Sequence, residues 1–134
     1  MAEYMFRDLL KKKGFSGATV FSRGTSDEEE GNPVHYGAKA VLDKLGIDSS
    51  AHRARRITKK ECDEADLIVC MDQYNVWRTK KICDEKDHPK IVKLLDFTSR
   101  YGDIDDPWYT HDFSRCYKDI NEGLKGLYEH IKRM

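Results

Sequence analysis

An unbroken apolar run between two aspartates constrains the fold of this chain more than any other feature. Leu67 to Met71 reads Leu-Ile-Val-Cys-Met, with Asp66 before it and Asp72 after it. A strand with one exposed face alternates apolar and polar residues, whereas a strand buried on both faces is apolar throughout. The run therefore predicts a strand over residues 66–71 in a parallel sheet that helices cover on both sides.

The segments around this run alternate between helical and strand patterns. Helical spacing of apolar residues predicts helices over residues 1–13, 34–45, 73–83 and 112–133. Thr58 and Glu61 form a capping-box pattern that opens another short helix. Apolar segments at 18–21 and 91–95 predict two more strands. With no repeat or linker, we expect one α/β domain over residues 1–134.

Charge and apolar run length exclude several kinds of partner. The chain has 24 basic and 24 acidic residues, so its net charge gives no reason to expect nucleic acid or an anionic membrane as a partner. Its apolar runs are too short to span a bilayer, and its first residues lack the pattern of a secretory signal. These observations predict a cytoplasmic protein.

The cysteine pattern predicts neither a disulfide nor a metal site. The four cysteines, Cys62, Cys70, Cys83 and Cys116, include no Cys-x-x-Cys pair and no histidine at zinc-finger spacing. We therefore expect no zinc or other metal, and four reduced thiols that mostly serve as packing residues.

A helix, rather than a strand, opens the chain. In doubly wound folds the first unit is normally strand, loop and helix, and the ligand lies where that loop meets the helix N-terminus. Two interpretations stay open from this pattern: a preceding strand and loop are missing, or the first helix stands alone and packs on the sheet.

The loop after the last predicted strand carries the clearest chemical pattern. Asp106 precedes Pro107, which restricts it to extended conformations and so fixes the direction of its side chain. Trp108 and Tyr109 follow and could form a wall for a flat substrate ring. A carboxylate beside such a wall suits protonation of an aromatic alcohol as it leaves. The same residues are also typical of an ordinary turn followed by aromatic residues of the core.

Two other stretches contain polar residues with both structural and functional interpretations. His52 lies in a basic run that extends to Arg56, where a solvated face and a hydrogen-bonded structural histidine are the ordinary interpretation. Asp72 and Asn75 follow the buried strand, at the edge where open α/β sheets bind ligands. The simpler role for Asp72 is to cap the next helix.

Seven segments in register resemble the low-molecular-weight protein tyrosine phosphatase family. They are Met1-Ala2-Glu3 with Phe6-Arg7, Ser22-Arg23-Gly24-Thr25-Ser26, Gly46-Ile47-Asp48, His52-Arg53-Ala54-Arg55 with Ile57-Thr58, Asp66 to Asn75, Lys93-Leu94-Leu95, and Asp106-Pro107-Trp108-Tyr109. The resemblance runs from the first residue to the last helix and implies a flavodoxin-like three-layer α/β fold with a short parallel sheet. It also implies a phosphotyrosine protein or small aryl phosphate as substrate, with no cofactor.

The resemblance implies a mechanism through a phosphocysteine intermediate. A Cys-x5-Arg loop, with Ser-Pro leading into the Met-Ala-Glu seen here, cradles the phosphate and supplies the attacking thiolate. Asp106 takes the role of general acid and base, and Trp108 and Tyr109 flank the substrate ring. Ser22 and His52 correspond to the polar network that positions the loop.

The Cys-x5-Arg loop itself is absent from the 134 residues. The residues six places after the four cysteines are Ile68, Val76, Pro89 and Glu122, and none is arginine. We therefore expect this chain to lack a nucleophile and to be inactive. A second departure is the acidic run at residues 27–30, where many family members carry an aromatic, and it puts affinity for acidic phosphopeptides in doubt.

The missing strand has a structural consequence. In a flavodoxin-like order of 2-1-3-4, the first, central strand would lie between residues 18–21 and residues 67–71. Without it, two apolar strands keep unpaired edges, which predicts self-association or an unusual pairing.

Three hypotheses for function follow. The first is an N-terminally truncated copy of an active tyrosine phosphatase, whose gene encodes one more strand and loop upstream. The second is a pseudophosphatase or binding module that uses the remaining surface. The third is an arsenate reductase of the same fold, which the Asp106 motif disfavours and for which no redox cysteine pair is evident.

Overall fold

The computed structural model describes residues 1–26 and 30–134, and the side chains of Trp108 and Tyr109 lie outside that description. Its six α-helices are α1 (Ala2–Lys12), α2 (Tyr36–Lys44), α3 (Lys59–Glu64), α4 (Gln73–Ile82), α5 (Pro107–Thr110) and α6 (Phe113–Ile131). Its strands are β1 (Ile68–Cys70) and β2 (Ile91–Lys93), and two 3₁₀ helices span Glu85–Lys90 and Leu94–Phe97. None of these helices combines the length and apolar character that a membrane span requires.

The apolar run forms the strand that the sequence predicts, in a parallel sheet. β1 pairs with β2 so that Ile68 lies opposite Ile91 and Cys70 lies opposite Lys93. β1 is shorter than predicted, and just after its end the carbonyl of Met71 accepts a 2.9 Å hydrogen bond from Ile104. β2 is also shorter than the predicted 91–95, since the chain winds into the second 3₁₀ helix at Leu94.

The strand predicted at residues 18–21 is wrong. These residues have no strand assignment, and the carbonyl of Val20 accepts hydrogen bonds from Arg7 Nε and Nη2 at 3.0 and 2.6 Å. A strand requires a neighbour that exchanges backbone hydrogen bonds. The described residues offer none at this edge, so the segment is tied to α1 through a side chain instead.

The predicted helix boundaries are confirmed to within a few residues, as are two caps. Thr58 Oγ1 accepts a hydrogen bond from Glu61 N, and the Glu61 carboxylate accepts one from Thr58 N. Asp72 caps α4 by accepting a 2.7 Å hydrogen bond from Asn75 N. The loop predicted from residue 96 contains the end of the second 3₁₀ helix and α5, and the first 3₁₀ helix was not predicted.

Two apolar clusters form the interior of the described chain. The larger joins α1, α2, α6 and the second 3₁₀ helix, and its buried members are Met5, Phe6, Leu10, Leu42, Leu94, Leu95, Ile104, Cys116, Ile120, Leu124 and Leu127. Here α6 approaches the second 3₁₀ helix so closely that a Cβ on Gly126 would lie 2.1 Å from the carbonyl oxygen of Phe97. The smaller cluster contains Cys62, Cys70, Val76, Cys83 and Ile91.

A disulfide in the smaller cluster corrects the prediction of four reduced thiols. Cys62, on α3, is bonded to Cys83, at the end of α4, with their Cα atoms 5.9 Å apart. Cys70 and Cys116 are free and buried, as predicted. The pair is 21 residues apart in sequence, and only the packing of α3 against α4 brings the two thiols together.

Candidate active site

The carboxylate of Glu3 gathers the polar residues at the start of α1. Its Oε1 accepts a 2.6 Å hydrogen bond from Ser22 Oγ, and its Oε2 lies 2.6 Å from Arg7 Nη2. His52 Nδ1 lies 3.6 Å from Oε1, a contact longer than a hydrogen bond. The Glu3 side chain is only 8% exposed, so these partners compensate for its burial. Ser22 and His52, predicted as one network, therefore meet on Glu3.

The surroundings of His52 favour its neutral form. Burial is the main cause that lowers its pKa, while the nearby Glu3 carboxylate raises it and the Met1 ammonium lowers it. The ring of Tyr4 meets the His52 ring edge-on, with centroids 5.8 Å apart. A neutral imidazole held between a carboxylate and an aromatic ring suits a positioning role better than proton transfer.

Asp106 lies at the entrance to α5. Its side chain is exposed, and its carbonyl accepts a 3.3 Å hydrogen bond from Thr110 N. The charges of Asp106 and of the Met1 ammonium both act on the thiol of Cys116 in α6. Asp106 and the N-terminal end of α1 therefore lie within electrostatic reach of one buried thiol. Trp108 and Tyr109 follow Asp106 in α5, but their side chains fall outside the description.

None of the four cysteines has the properties of an activated nucleophile. The pKa of Cys116 is raised to about 11, mainly by burial and also by the Asp106 carboxylate, although the Met1 ammonium lowers it. Burial also raises the pKa of Cys70, whose Sγ lies 3.8 Å from Thr79 Oγ1. Cys62 and Cys83 are bonded to each other. Because a nucleophilic cysteine must be a thiolate, no described thiol can take that role near neutral pH.

Arginines anchor the segment from Ser22 to Ser26 beside α1. Arg23 Nε lies 2.7 Å from Glu61 Oε2, and Arg78 Nη2 donates a 3.1 Å hydrogen bond to the carbonyl of Thr25. A short parallel bridge between Gly24 and Arg56 ties the same segment to the chain after His52. The segments that carry Ser22 and His52 are thus joined to each other, and the first of them is also tied to α3 and α4. The acidic run at 27–30 falls, apart from Glu30, outside the described residues.

The sequence reasoning missed Glu3 and Arg7 as site residues. Both occur in the segments that carry the family resemblance, at i and i+4 on one face of α1. That spacing predicts a pair on the helix, but it does not predict that a serine and a histidine from distant segments join it.

The parallel sheet, the flanking helices and the polar cluster at the start of α1 define a doubly wound α/β protein with its candidate site at a helix N-terminus. The profile of the family described as low molecular weight phosphotyrosine protein phosphatase matches residues 1–134. The chain belongs to this family, whose members are protein tyrosine phosphatases.

Individual relatives agree with the family profile. The low molecular weight protein-tyrosine-phosphatase YfkJ of Bacillus subtilis is 33% identical over 99% of this chain and 87% of its own length. PtpA of Staphylococcus aureus strain Newman is 32% identical, over 98% of this chain and 84% of its own length. The crystal structure of YfkJ superposes with a TM-score of 0.93 at 32% identity, covering 98% of this chain and 85% of that one. The fold is therefore the flavodoxin-like fold of these phosphatases.

Proposed function

We propose that this chain, once joined to a phosphate-binding loop, hydrolyses protein phosphotyrosine or a small aryl phosphate. Asp106 acts first as general acid and then as general base. The observation that supports this most is that the charges of Asp106 and of the Met1 ammonium, at the start of α1, both act on the thiol of Cys116. A helix N-terminus binds phosphate through its free N–H groups and its dipole. A proton donor beside such a phosphate lies where the leaving phenol oxygen would depart.

The chemical step needs both a thiolate and an acid. The thiolate of the family's loop would attack phosphorus, the bond to the phenol oxygen would break, and Asp106 would give that oxygen its proton. Asp106, then ionised, would take a proton from water as the water attacks the phosphocysteine. Trp108 and Tyr109 would flank the phenol ring, and Pro107 would fix the direction of Asp106.

Ser22 and His52 have positioning roles in this proposal. Both meet the carboxylate of Glu3, which is nearly buried in the first turn of α1. The network thereby ties α1 to the two segments that carry Ser22 and His52. Any loop that enters α1 at Met1 would rest against this network, which would keep its backbone N–H groups directed at the phosphate.

We further propose that the 134 residues alone do not hydrolyse aryl phosphates. The sequence contains no Cys-x5-Arg, and the described thiols are either buried and protonated or bonded to each other. The site on this chain would then hold the acid and its support without the nucleophile.

Restoring the loop tests both proposals. A strand and a Cys-x5-Arg loop of the family, ending in Ser-Pro, would be fused before Met1, and turnover of p-nitrophenyl phosphate and phenyl phosphate measured. We expect no turnover from the chain alone and turnover from the fusion, lost when the loop cysteine becomes serine. A folded fusion without turnover would contradict the phosphatase proposal and favour the binding module.

Asp106→Asn in the active fusion tests the acid. We expect kcat for phenyl phosphate, with its poor leaving group, to fall about 10²–10⁴-fold with little change in binding. Asp105→Asn is the matched control, because Asp105 is the adjacent exposed aspartate. Equal rates in the two variants would remove Asp106 from the mechanism.

The structure contains a cysteine pair that the sequence did not reveal, but this pair does not favour an arsenate reductase. The sequence showed no paired cysteines, whereas the structure pairs Cys62 with Cys83. That pair belongs to the smaller apolar cluster, and the residues at the start of α1 pack on the larger one. The proposal of phosphatase activity therefore rests on the family and on Asp106, not on the number of cysteines.

Self-association remains part of the proposal. β1 pairs with β2 on one side, and no second strand flanks it within residues 1–26 and 30–134. An unpaired edge of a parallel strand offers free backbone groups to another chain. We expect the 134-residue chain to form dimers or larger species by light scattering after gel filtration, and a stable monomer would contradict this.

A further inference from the structure

The disulfide brings two Cys-Asp dipeptides together. Asp63 follows Cys62 and Asp84 follows Cys83, so the bond between the cysteines places both carboxylates at one corner of the molecule. Asp87, on the first 3₁₀ helix, joins them. One carboxylate oxygen from each of the three residues lies within 4.8 Å of the other two.

One oxygen of the buried Asp87 carboxylate has no hydrogen-bond partner among the described residues. The residue is buried, with 3% of its surface exposed. Its Oδ1 lies 2.8 Å from Lys90 Nζ, but its Oδ2 accepts no hydrogen bond from any described residue. A buried carboxylate oxygen without a partner is costly, because it has lost its water and gained nothing in exchange. The corner is thus more than a group of exposed acidic residues.

The lysines at this corner leave room for a cation. Lys90 Nζ is fixed, since it also donates hydrogen bonds to the carbonyls of Cys62 and Asp63 at 2.9 and 3.1 Å. The contacts of Lys86 with Asp63 (3.5 Å) and of Lys59 with Asp84 (3.9 Å) are long, and both lysines are more than two-thirds exposed. Exposed pairs of this kind contribute little and are readily displaced.

We propose that Asp63, Asp84 and Asp87 form a binding site for a divalent cation, and that the cation is Ca²⁺. Three carboxylates are hard oxygen ligands, which suit Ca²⁺, Mg²⁺ and Mn²⁺ rather than softer metals. Mg²⁺ demands near-ideal octahedral geometry and usually keeps several waters, whereas Ca²⁺ accepts irregular sets of carboxylate oxygens. Three carboxylates whose oxygens lie within 4.8 Å of one another suit the more adaptable ion. The spacing of cysteines and histidines in the sequence predicts no metal, so this site is an addition to that expectation.

The site depends on the disulfide. Asp63 lies at the end of α3 and Asp84 just beyond α4, and the bond between the preceding cysteines holds these two elements together. Without that bond, the two elements could separate and the ligand set would open. Cation affinity is therefore expected to follow the redox state of this pair, whatever the activity of the phosphatase site.

Calorimetric titration of the oxidised 134-residue protein with CaCl₂, with MgCl₂ titrated separately, tests the proposal. We expect saturable binding of one Ca²⁺ per chain, tighter than Mg²⁺, and a rise in Tm with Ca²⁺ concentration. Asp84→Asn and Asp87→Asn should each weaken Ca²⁺ binding at least about tenfold, because each removes a charged ligand. Asp43→Asn is the control, since Asp43 is a half-exposed aspartate paired with Lys39 on α2.

Asp84→Asn is not expected to disturb folding, because the Asp84 side chain is 49% exposed. This variant therefore reports on binding even if Asp87→Asn fails to fold. A Cys83→Ser variant should also bind Ca²⁺ more weakly than the oxidised protein. Absence of saturable binding would overturn the proposal, as would undiminished binding in both aspartate variants. Tighter binding of Mg²⁺ than of Ca²⁺ would overturn the assignment of the ion.

Discussion

The two apolar clusters of this chain differ in how they are held. The larger contains eleven buried residues contributed by three helices, the second 3₁₀ helix and the loop residue Ile104. The smaller contains five buried residues, and two of them form the disulfide. Burial of apolar surface therefore dominates in the first region, whereas a covalent bond and charged groups supplement a small core in the second.

The two clusters also support different candidate sites. The larger cluster supports α1 and α6, which carry the Glu3 network and Cys116 near Asp106. The smaller cluster supports the proposed cation corner. A region held by packing keeps its geometry when the redox potential changes, while a region held by a disulfide does not. The phosphatase site and the cation site should respond to different conditions.

The largest expected loss of stability comes from Leu94→Ala in the larger cluster. Leu94 has no exposed surface, and its side chain packs on Gly123 of α6. Removing it should cost about 2–5 kcal/mol in the free energy of unfolding, measured with urea, because the site cannot fully collapse. Leu45→Ala is the control, since Leu45 is 41% exposed. Equal losses would mean that the larger cluster is not tightly packed.

Breaking the disulfide should have the next largest effect, confined to the second region. A Cys62→Ser, Cys83→Ser double variant loses a cross-link over 21 residues, worth about 3 kcal/mol by the loop-entropy relation. Hydrogen exchange should increase in α3 and the first 3₁₀ helix but not in α1. Loss of protection in both regions alike would show that the two clusters unfold as one unit.

Loss of the α3 cap should be smaller. Thr58→Ala removes the hydroxyl that accepts from Glu61 N and should cost about 1 kcal/mol. Thr19→Ala, at an exposed position outside any helix, is the matched control. A loss no greater than the control's would mean that α3 is held by the disulfide and not by its capping box.

The smallest effect is a dependence of stability on pH in the first region. Burial lowers the pKa of His52 in the folded protein, so the unfolded chain binds the proton more tightly. Stability should therefore be greatest above about pH 6.5, the unfolded value, and fall as the pH drops below it. His52→Gln should flatten this slope and the exposed His130→Gln should not. An unchanged slope in His52→Gln would contradict the assignment.

The order of elements was largely predictable from the sequence because local patterns fix it. The apolar run placed β1, the Thr58 and Glu61 spacing placed the start of α3, and Asp72 placed the start of α4. The strand at residues 18–21 was mispredicted, because an apolar segment does not reveal whether a neighbouring strand exists to pair with it. The predicted roles of Asp106, Trp108 and Tyr109 remain predictions.

By itself, the sequence determined the family, the helix and strand order and the absence of Cys-x5-Arg among these residues. Only the tertiary structure joined Ser22 and His52 on Glu3, and only it bonded Cys62 to Cys83 and so gathered Asp63, Asp84 and Asp87. The physical reason is the range of the interactions. Periodicity and capping act over a few residues, whereas pairings across 19 to 49 positions depend on how whole elements pack.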